Sequence, residues 1–348
     1  MNITADPHPR GLFSRHIRVE NLRHVNEARR LVIALSRDLG FDDLRTGQAA
    51  LFVTELATNL VKHTAGAGGD LVFHPLEEAG ATGLDILALD CGPGIANIGK
   101  SLRDGSSTFG SFGTGLGVIR RLSSAFDIFS APGKGTAVFS RLWENVQPLS
   151  PLAVGVVCLP VSGEQACGDA WAMKVDGDST FFILADGLGH GPDAAEAANQ
   201  AVAIFLEQSP RHPAELLQLI HAGLRGTRGA AVVAAEVAPE KGVIRYAGVG
   251  NITGLMLDGA TSRHLVSHNG TAGIEARTIQ EFSYPWTESS LLVLHSDGLA
   301  TRWLLDDYPG LAQKHPALIA GVLFRDHQQL RDDSTVVVAK AGGRRVVE

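Results

Sequence analysis

Apolar positions recur at three- and four-residue intervals through Leu22, Val25, Ala28, Leu31, Val32 and Leu35, predicting an amphipathic helix over 22–39 that Gly40 stops. Residues 42–63 repeat the period through Ala49, Leu51, Phe52, Leu56, Leu60 and Val61 and predict a second helix. Short runs at 14–19, 71–74 and 84–89 read as strands, and 116–124 as a short helix. The runs 126–130 and 136–142 read as a hairpin across PGKG. The segment 144–151, ENVQPLSP, has two prolines and no period, so it reads as a linker. Beyond it the pattern predicts strands at 153–159, 170–175 and 180–185, an alanine-rich helix at 192–208 and another helix at 213–224. Further strands follow at 230–237, 242–249, 253–257, 291–296 and 335–340.

This alternation predicts an α/β (α+β) chain of two domains, 1–145 and 151–342. With 348 residues, 45% of them apolar, there is enough material for two cores. The formal net charge of -7 and the lack of a basic run with interleaved aromatics argue against nucleic acid or an anionic membrane as partner. Cys91, Cys158 and Cys167 form neither a disulfide framework nor a metal-binding pair, which suits a reducing cytoplasm. The opening residues lack the basic-then-apolar order of a signal peptide, and no apolar run reaches the roughly 18–20 residues of a membrane helix. A soluble cytoplasmic protein is expected.

The chemistry-bearing residues of the first half come in a set order. Glu55 and Asn59 are four apart in TELATNLVKHT and share one helix face. By itself that pair reads more readily as a solvated face. It also suits magnesium–phosphate chemistry, with a neutral hard ligand beside a carboxylate able to orient or deprotonate a nucleophile. Asp90 ends a strand ahead of CGPGI, where a carboxylate can accept hydrogen bonds from an exocyclic base amine while Gly92 and Gly94 admit a flat ligand. GSFGTGLG then leads into a helix, and Gly113, Gly115 and Gly117 free its backbone to wrap phosphate oxygens.

The succession E-x-x-x-N, D-x-G-P-G and G-x-G-x-G resembles the GHKL ATP-binding family over residues 14–143, with a Bergerat-type α/β sandwich, and within it the RsbT-like switch kinases. The resemblance implies Asn59 as magnesium ligand, Glu55 as general base, Asp90 as adenine reader, Gly113–Gly117 as part of a lid, and Thr136 near the adenine. Lys62 is either a phosphate contact or a surface lysine. No histidine stands on a preceding dimerisation helix, so the acceptor is expected to be a Ser or Thr of another protein.

In the second half, aspartates collect beside apolar runs: Asp169 in CGDAW, Asp186 in LADGLGHG, Asp297 in LHSDGLA, and Asp332 and Asp333 in RDDSTVVV. Each Asp-Gly pair alone reads as a turn. Converging carboxylates would repel without cations, and all-oxygen ligation suits Mg2+ or Mn2+ rather than zinc. The pattern resembles the SpoIIE-type, RsbX-like branch of the metal-dependent PPM phosphatases over residues 151–341. An α-β-β-α sandwich is implied, with Asp186 bridging two metals, Gly187 offering its carbonyl, Asp297 and Asp332 on the second metal, and Asp169 close by. Asp333 is given no role. His190 is either an acid catalyst or a cap of the long helix, the cap being favoured, and Asn251 is expected in a turn near the site.

Together these expectations describe a kinase and a phosphatase acting on STAS-domain or stressosome-type partners with ATP and divalent metals. The alternative is a nucleotide-gated partner-binding module fused to a phosphatase, without useful kinase turnover.

Overall fold

A computed structural model describes residues 13–342 apart from 79, 103–114, 146–149, 210 and 260. The first half begins with β1 (Arg15–Val19), α1 (Leu22–Asp38) and α2 (Asp43–His63). Asn21 caps α1 by accepting from the backbone N–H groups of Arg23 and His24, and Asp42 caps α2 by accepting from Arg45 N–H. Four strands follow, β2 (Gly69–Glu78), β3 (Ala81–Asp90), β4 (Ala125–Ser130) and β5 (Thr136–Trp143), with short helices α3 (Ile98–Ser101) and α4 (Leu116–Leu122) between β3 and β4. They form an antiparallel sheet in the order β1-β2-β3-β5-β4. The apolar stripes of α1 and α2 pack on one face, where Phe52, Leu56, Phe73 and Ile86 are fully buried.

The second half is two antiparallel sheets face to face. One is ordered β13 (Phe282–Pro285), β10 (Val243–Val249), β9 (Ala230–Ala238), β8 (Ser179–Gly187), β7 (Asp169–Asp176). The other is ordered β12 (Thr261–His264), β11 (Thr253–Asp258), β14 (Ser290–His295), β15 (Ser334–Ala341), β6 (Leu152–Leu159). Alternating side chains from both sheets, among them Leu184, Val233, Tyr246 and Leu294, fill the space between them. Helices α5 (Pro192–Glu207) and α6 (Pro213–Gly223) cover the first sheet through small residues such as Ala198 and Ala201. Helix α7 (Pro316–His327) covers the second, which completes an α-β-β-α sandwich.

Helix α7 is the longest element the hydrophobic pattern does not predict; the short α3, β12 and β13 also go unpredicted. Every residue from Pro316 to Phe324 is buried, so the helix shows no polar face and no amphipathic period. Its second face is taken by the first half: Val72, Leu87, Leu89 and Phe139 from the open side of the β1–β5 sheet share its apolar cluster. Glycine makes both approaches possible. A Cβ on Gly321 would lie 3.1 Å from Leu89 Cδ2, and one on Gly155 would lie 1.9 Å from the Ala317 nitrogen. Polar ties reinforce the junction. Arg141 is bidentate to Asp85 at 2.5 and 2.7 Å and donates to Val154 O at 3.0 Å, while Asp127 accepts from Lys314 Nζ and His315 N–H.

Candidate nucleotide and metal sites

The nucleotide-site residues lie where α2, the end of β3 and the β4–β5 turn meet. Glu55 and Asn59 are half-buried on α2, and Lys62 is exposed. The loop after β3 runs against the last turn of α2, since a Cβ on Gly92 would lie 3.0 Å from Thr64 Cα. Asp90 Oδ1 accepts from Gly92 N–H at 2.7 Å and Thr136 N–H at 3.2 Å, and Thr136 Oγ1 meets Ser130 Oγ at 2.9 Å. Burial raises the Asp90 pKa, while those two N–H groups, Arg325 and His63 oppose the rise. Gly94 and Gly135 hold φ +77° and +74° with added Cβ atoms falling 2.2 Å from Ala131 O and 1.9 Å from Asp90 O, so neither tolerates a side chain. Gly115 precedes α4 as its N-cap residue. Gly117 is buried within the helix rather than in the turn, and Gly113 lies outside the described residues.

The second site sits at one end of the sandwich, where strands of both sheets stop. Asp169 opens β7 and Asp186 lies near the end of β8, directly opposite it in register. Asp297 follows β14, and Asp332 and Asp333 immediately precede β15. A cavity of about 370 Å³ brings Asp186, Asp297 and Asp332 together with Gly189, Asn251 and Thr271, and its lining contains no Lys or Arg. Burial and repulsion from Asp169, Asp297, Asp332 and Asp333 push Asp186 up to about 9. Burial raises Asp169 to about 7 against hydrogen bonds from Ser296 and Thr335.

Three of these carboxylates are held by their surroundings. Ser296 Oγ donates to Asp169 Oδ2 at 2.6 Å, Asn251 Nδ2 to Asp297 Oδ2 at 2.7 Å, and Gln329 Nε2 to the Asp297 carbonyl at 3.0 Å. Asp333, given no role by sequence, accepts from Val161 N–H at 2.8 Å and Gly168 N–H at 2.9 Å and so fixes the loop before Asp169. Gly187 has no room for a side chain, because its Cβ would meet Ala194 O at 2.0 Å. His190 does not cap α5: the N-cap is Gly191, with no side-chain cap bond, and His190 Nδ1 instead meets Glu164 at 3.3 Å. The cap expectation fails because the loop turns His190 outward, toward the 160–166 segment.

Among the described residues no three His, Cys, Asp or Glu side chains stand close enough to hold one ion between them. The tight cage expected from sequence is therefore a looser ring. A ring of hard oxygen donors, dense in unneutralised carboxylate, still fits Mg2+ or Mn2+, since Mg2+ keeps several waters and takes one or two carboxylates. Ser296 and Gln329 are the positioning residues that sequence reasoning missed. Ser296 had a signal in its place beside Asp297, whereas Gln329 lies in a stretch with no motif.

The fold is that of a histidine-kinase-like ATPase domain followed by a phosphatase domain. Residues 19–141 match the histidine kinase-like ATPase domain and residues 176–342 match the Stage II sporulation protein E (SpoIIE) domain. The chain belongs to the RsbT family of serine/threonine-protein kinases and carries a SpoIIE-type serine/threonine phosphatase domain behind it. It is 33% identical over 127 residues to the serine/threonine-protein kinase RsbT of Bacillus subtilis (strain 168), an alignment covering 36% of this chain and 94% of that protein. A solved structure from work on the bacterial stressosome, a modular system adapted to control secondary messenger signalling, is 30% identical. It covers 54% of this chain and 99% of its own, with a TM-score of 0.50. The crystal structure of RsbX in complex with magnesium is 19% identical, covers 57% of this chain and 99% of its own, and has a TM-score of 0.49. No helix among the described residues is long and apolar enough to cross a membrane.

Proposed function

We propose that this protein is a cytoplasmic partner-switching enzyme. Its 1–145 domain phosphorylates a Ser or Thr of a STAS-domain partner with ATP, and its 151–342 domain hydrolyses phosphoserine or phosphothreonine on such a partner. The observation that carries the reading is the gathering of Asp186, Asp297 and Asp332 around one cavity whose lining has no Lys or Arg, with Asp169 facing Asp186 in register.

Two divalent cations, Mg2+ or Mn2+, would be held by Asp186 and the Gly187 carbonyl, by Asp297 and Asp332, and by Asp169 through the surrounding shell. When bound, they supply a water acidic enough to attack a phosphoryl group. The residues around them orient the donors: Asn251 and Gln329 fix Asp297, and Ser296 fixes Asp169. In the kinase half, Asn59 would ligate the nucleotide's magnesium, Glu55 would take the proton of the accepting hydroxyl, and Asp90 with Thr136 would read the adenine. Gly92, Gly94 and Gly115 would admit the base and phosphates, and Lys62 stands one helical turn beyond Asn59.

The test is a pair of assays on the full chain with a STAS-domain protein. ATP- and Mg2+-dependent phosphorylation should disappear with Asn59→Ala, and Mn2+-supported phosphate release should disappear with Asp186→Ala. Turnover unchanged by either substitution would overturn that half of the reading.

A further inference from the structure

We infer that the kinase domain supplies part of the phosphatase's substrate site: Arg15 of β1 lines a cleft between the domains and docks the phosphorylated segment of the protein substrate. The inference rests on the metal-site reading above and adds the partner-recognition surface to it.

A cleft of about 880 Å³ runs between β1 of the first domain and the phosphatase. Arg15, His16 and Arg18 line one side, while the 160–166 loop, Asp169 and Asp332 line the other. Asp332 also lines the smaller carboxylate cavity, so the two spaces meet at a residue of the metal site. The cleft is therefore an approach to the reacting centre.

The position of β1 over this approach is built into the fold. Phe13 packs against the core between the phosphatase sheets. Ser14 N–H donates to Cys158 O at 2.7 Å, and Cys158 N–H donates to Ser14 Oγ at 3.1 Å. Arg15 follows at once, its guanidinium 4.3 Å from the Phe13 ring centroid.

Charge distinguishes Arg15 from its neighbours. Arg18 and His16 both meet Asp70, at 2.8 and 2.7 Å, and Arg18 also reaches Glu20. Arg15 is exposed and has no carboxylate partner among the described residues. On the far side of the metal site, Arg228 stands 3.5 Å from where a Cβ on Gly189 would lie, but it is already paired with Asp193 at 2.6 Å. A substrate carrying a dianionic phosphate must approach a carboxylate-rich centre whose cavity offers no cationic side chain. A planar guanidinium at the entrance is the group suited to receive it.

The experiment uses the full chain and a fluorescein-labelled alanine-rich peptide with one central phosphoserine, alongside its unphosphorylated twin. Anisotropy titration without metal reads docking alone, and Mn2+-supported hydrolysis of the peptide reads KM and kcat. Arg15→Ala should weaken binding and raise KM about tenfold, the loss expected for one charge-assisted hydrogen bond, with kcat held. Arg15→Glu should weaken both further, Arg15→Lys should recover part, and Arg228→Ala should leave peptide binding alone. Equal binding and equal KM for wild type and Arg15→Ala would overturn the inference, as would a kcat loss without a KM change. Wild-type turnover of p-nitrophenyl phosphate tests the metal centre separately. Its absence would sink the metal-site reading, while the anisotropy titration would still decide docking.

Discussion

In the phosphatase half Asp186 faces four other carboxylates, and burial together with their repulsion drives it to about 9. In the kinase half Asp90 meets N–H donors from Gly92 and Thr136, and the Arg325 and His63 charges counter its burial. The first site carries an electrostatic deficit that a bound cation would relieve. The second is partly offset by the fold before any nucleotide arrives, its carboxyl still raised by burial. The difference teaches that the two ligands play unequal parts: divalent cations should contribute to stability as well as chemistry, while nucleotide should contribute mainly to chemistry.

Two substitutions test whether the halves are independent in turnover. Asp186→Ala should lower phosphate release roughly 10⁴-fold, since the proposed bridging ligand would underwrite the several kcal/mol that bound cations contribute in the transition state. Phosphotransfer by the other half should persist. Glu55→Gln should lower phosphotransfer about 10²-fold or more, the contribution of a positioned base, with ATP affinity unchanged in a titration. A Glu55→Gln protein that transfers phosphate like wild type would favour the nucleotide-gated binding module over the kinase.

How far the sequence carried this picture follows from burial. Helices α1, α2, α5 and α6 each have one wet face, so their period is visible, and most strands stop at Gly, Asp or Pro. The aspartates were legible because each stands beside an apolar run that becomes a strand. Helix α7 was not, because both of its faces are dry. With it went the junction, since Leu87, Leu89 and Phe139 read as ordinary strand residues whose second face is unassigned until α7 is in place. The placement of Arg325 was hidden for the same reason: it donates to the Asp90 carbonyl at 2.9 Å from the far end of the chain.

The stability half of the comparison can be broken directly. Mn2+ at about 100 times its dissociation constant should stabilise the wild type by about 2.7 kcal/mol. Asp186→Asn should lose that gain, yet unfold at a higher temperature than metal-free wild type because the cost of burying that carboxyl among the others is gone. A rise of roughly 2–4 °C would correspond to about 1 kcal/mol in a domain of this size. Thermal unfolding with and without Mn2+ reads both. A metal-free Asp186→Asn protein less stable than wild type would mean the carboxylate ring carries no electrostatic deficit.

The smallest effect concerns the junction, where the base His74 is buried near the Asp85–Arg141 pair. His74 on β2 is buried, its Nδ1 is 3.0 Å from Ser14 Oγ, and its ring lies 5.6 Å from that of Trp171 in the phosphatase half. Burial, aided by the Arg141 charge, lowers its pKa to about 3 from an ordinary 6.5. Between those values the unfolded chain binds a proton that the folded chain refuses. The contribution of neutral His74 is therefore complete above pH 6.5 and is lost as pH falls toward 3, at up to about 1.4 kcal/mol per unit. Asp186 has the opposite sign in the same window, because its folded pKa is raised and its burden grows as pH rises. The two are separated by difference: urea midpoints at pH 7 and 5.5 should shift less for His74→Phe than for wild type. Equal shifts would show that the proton enters without opening the junction, and that acid acts on this protein elsewhere.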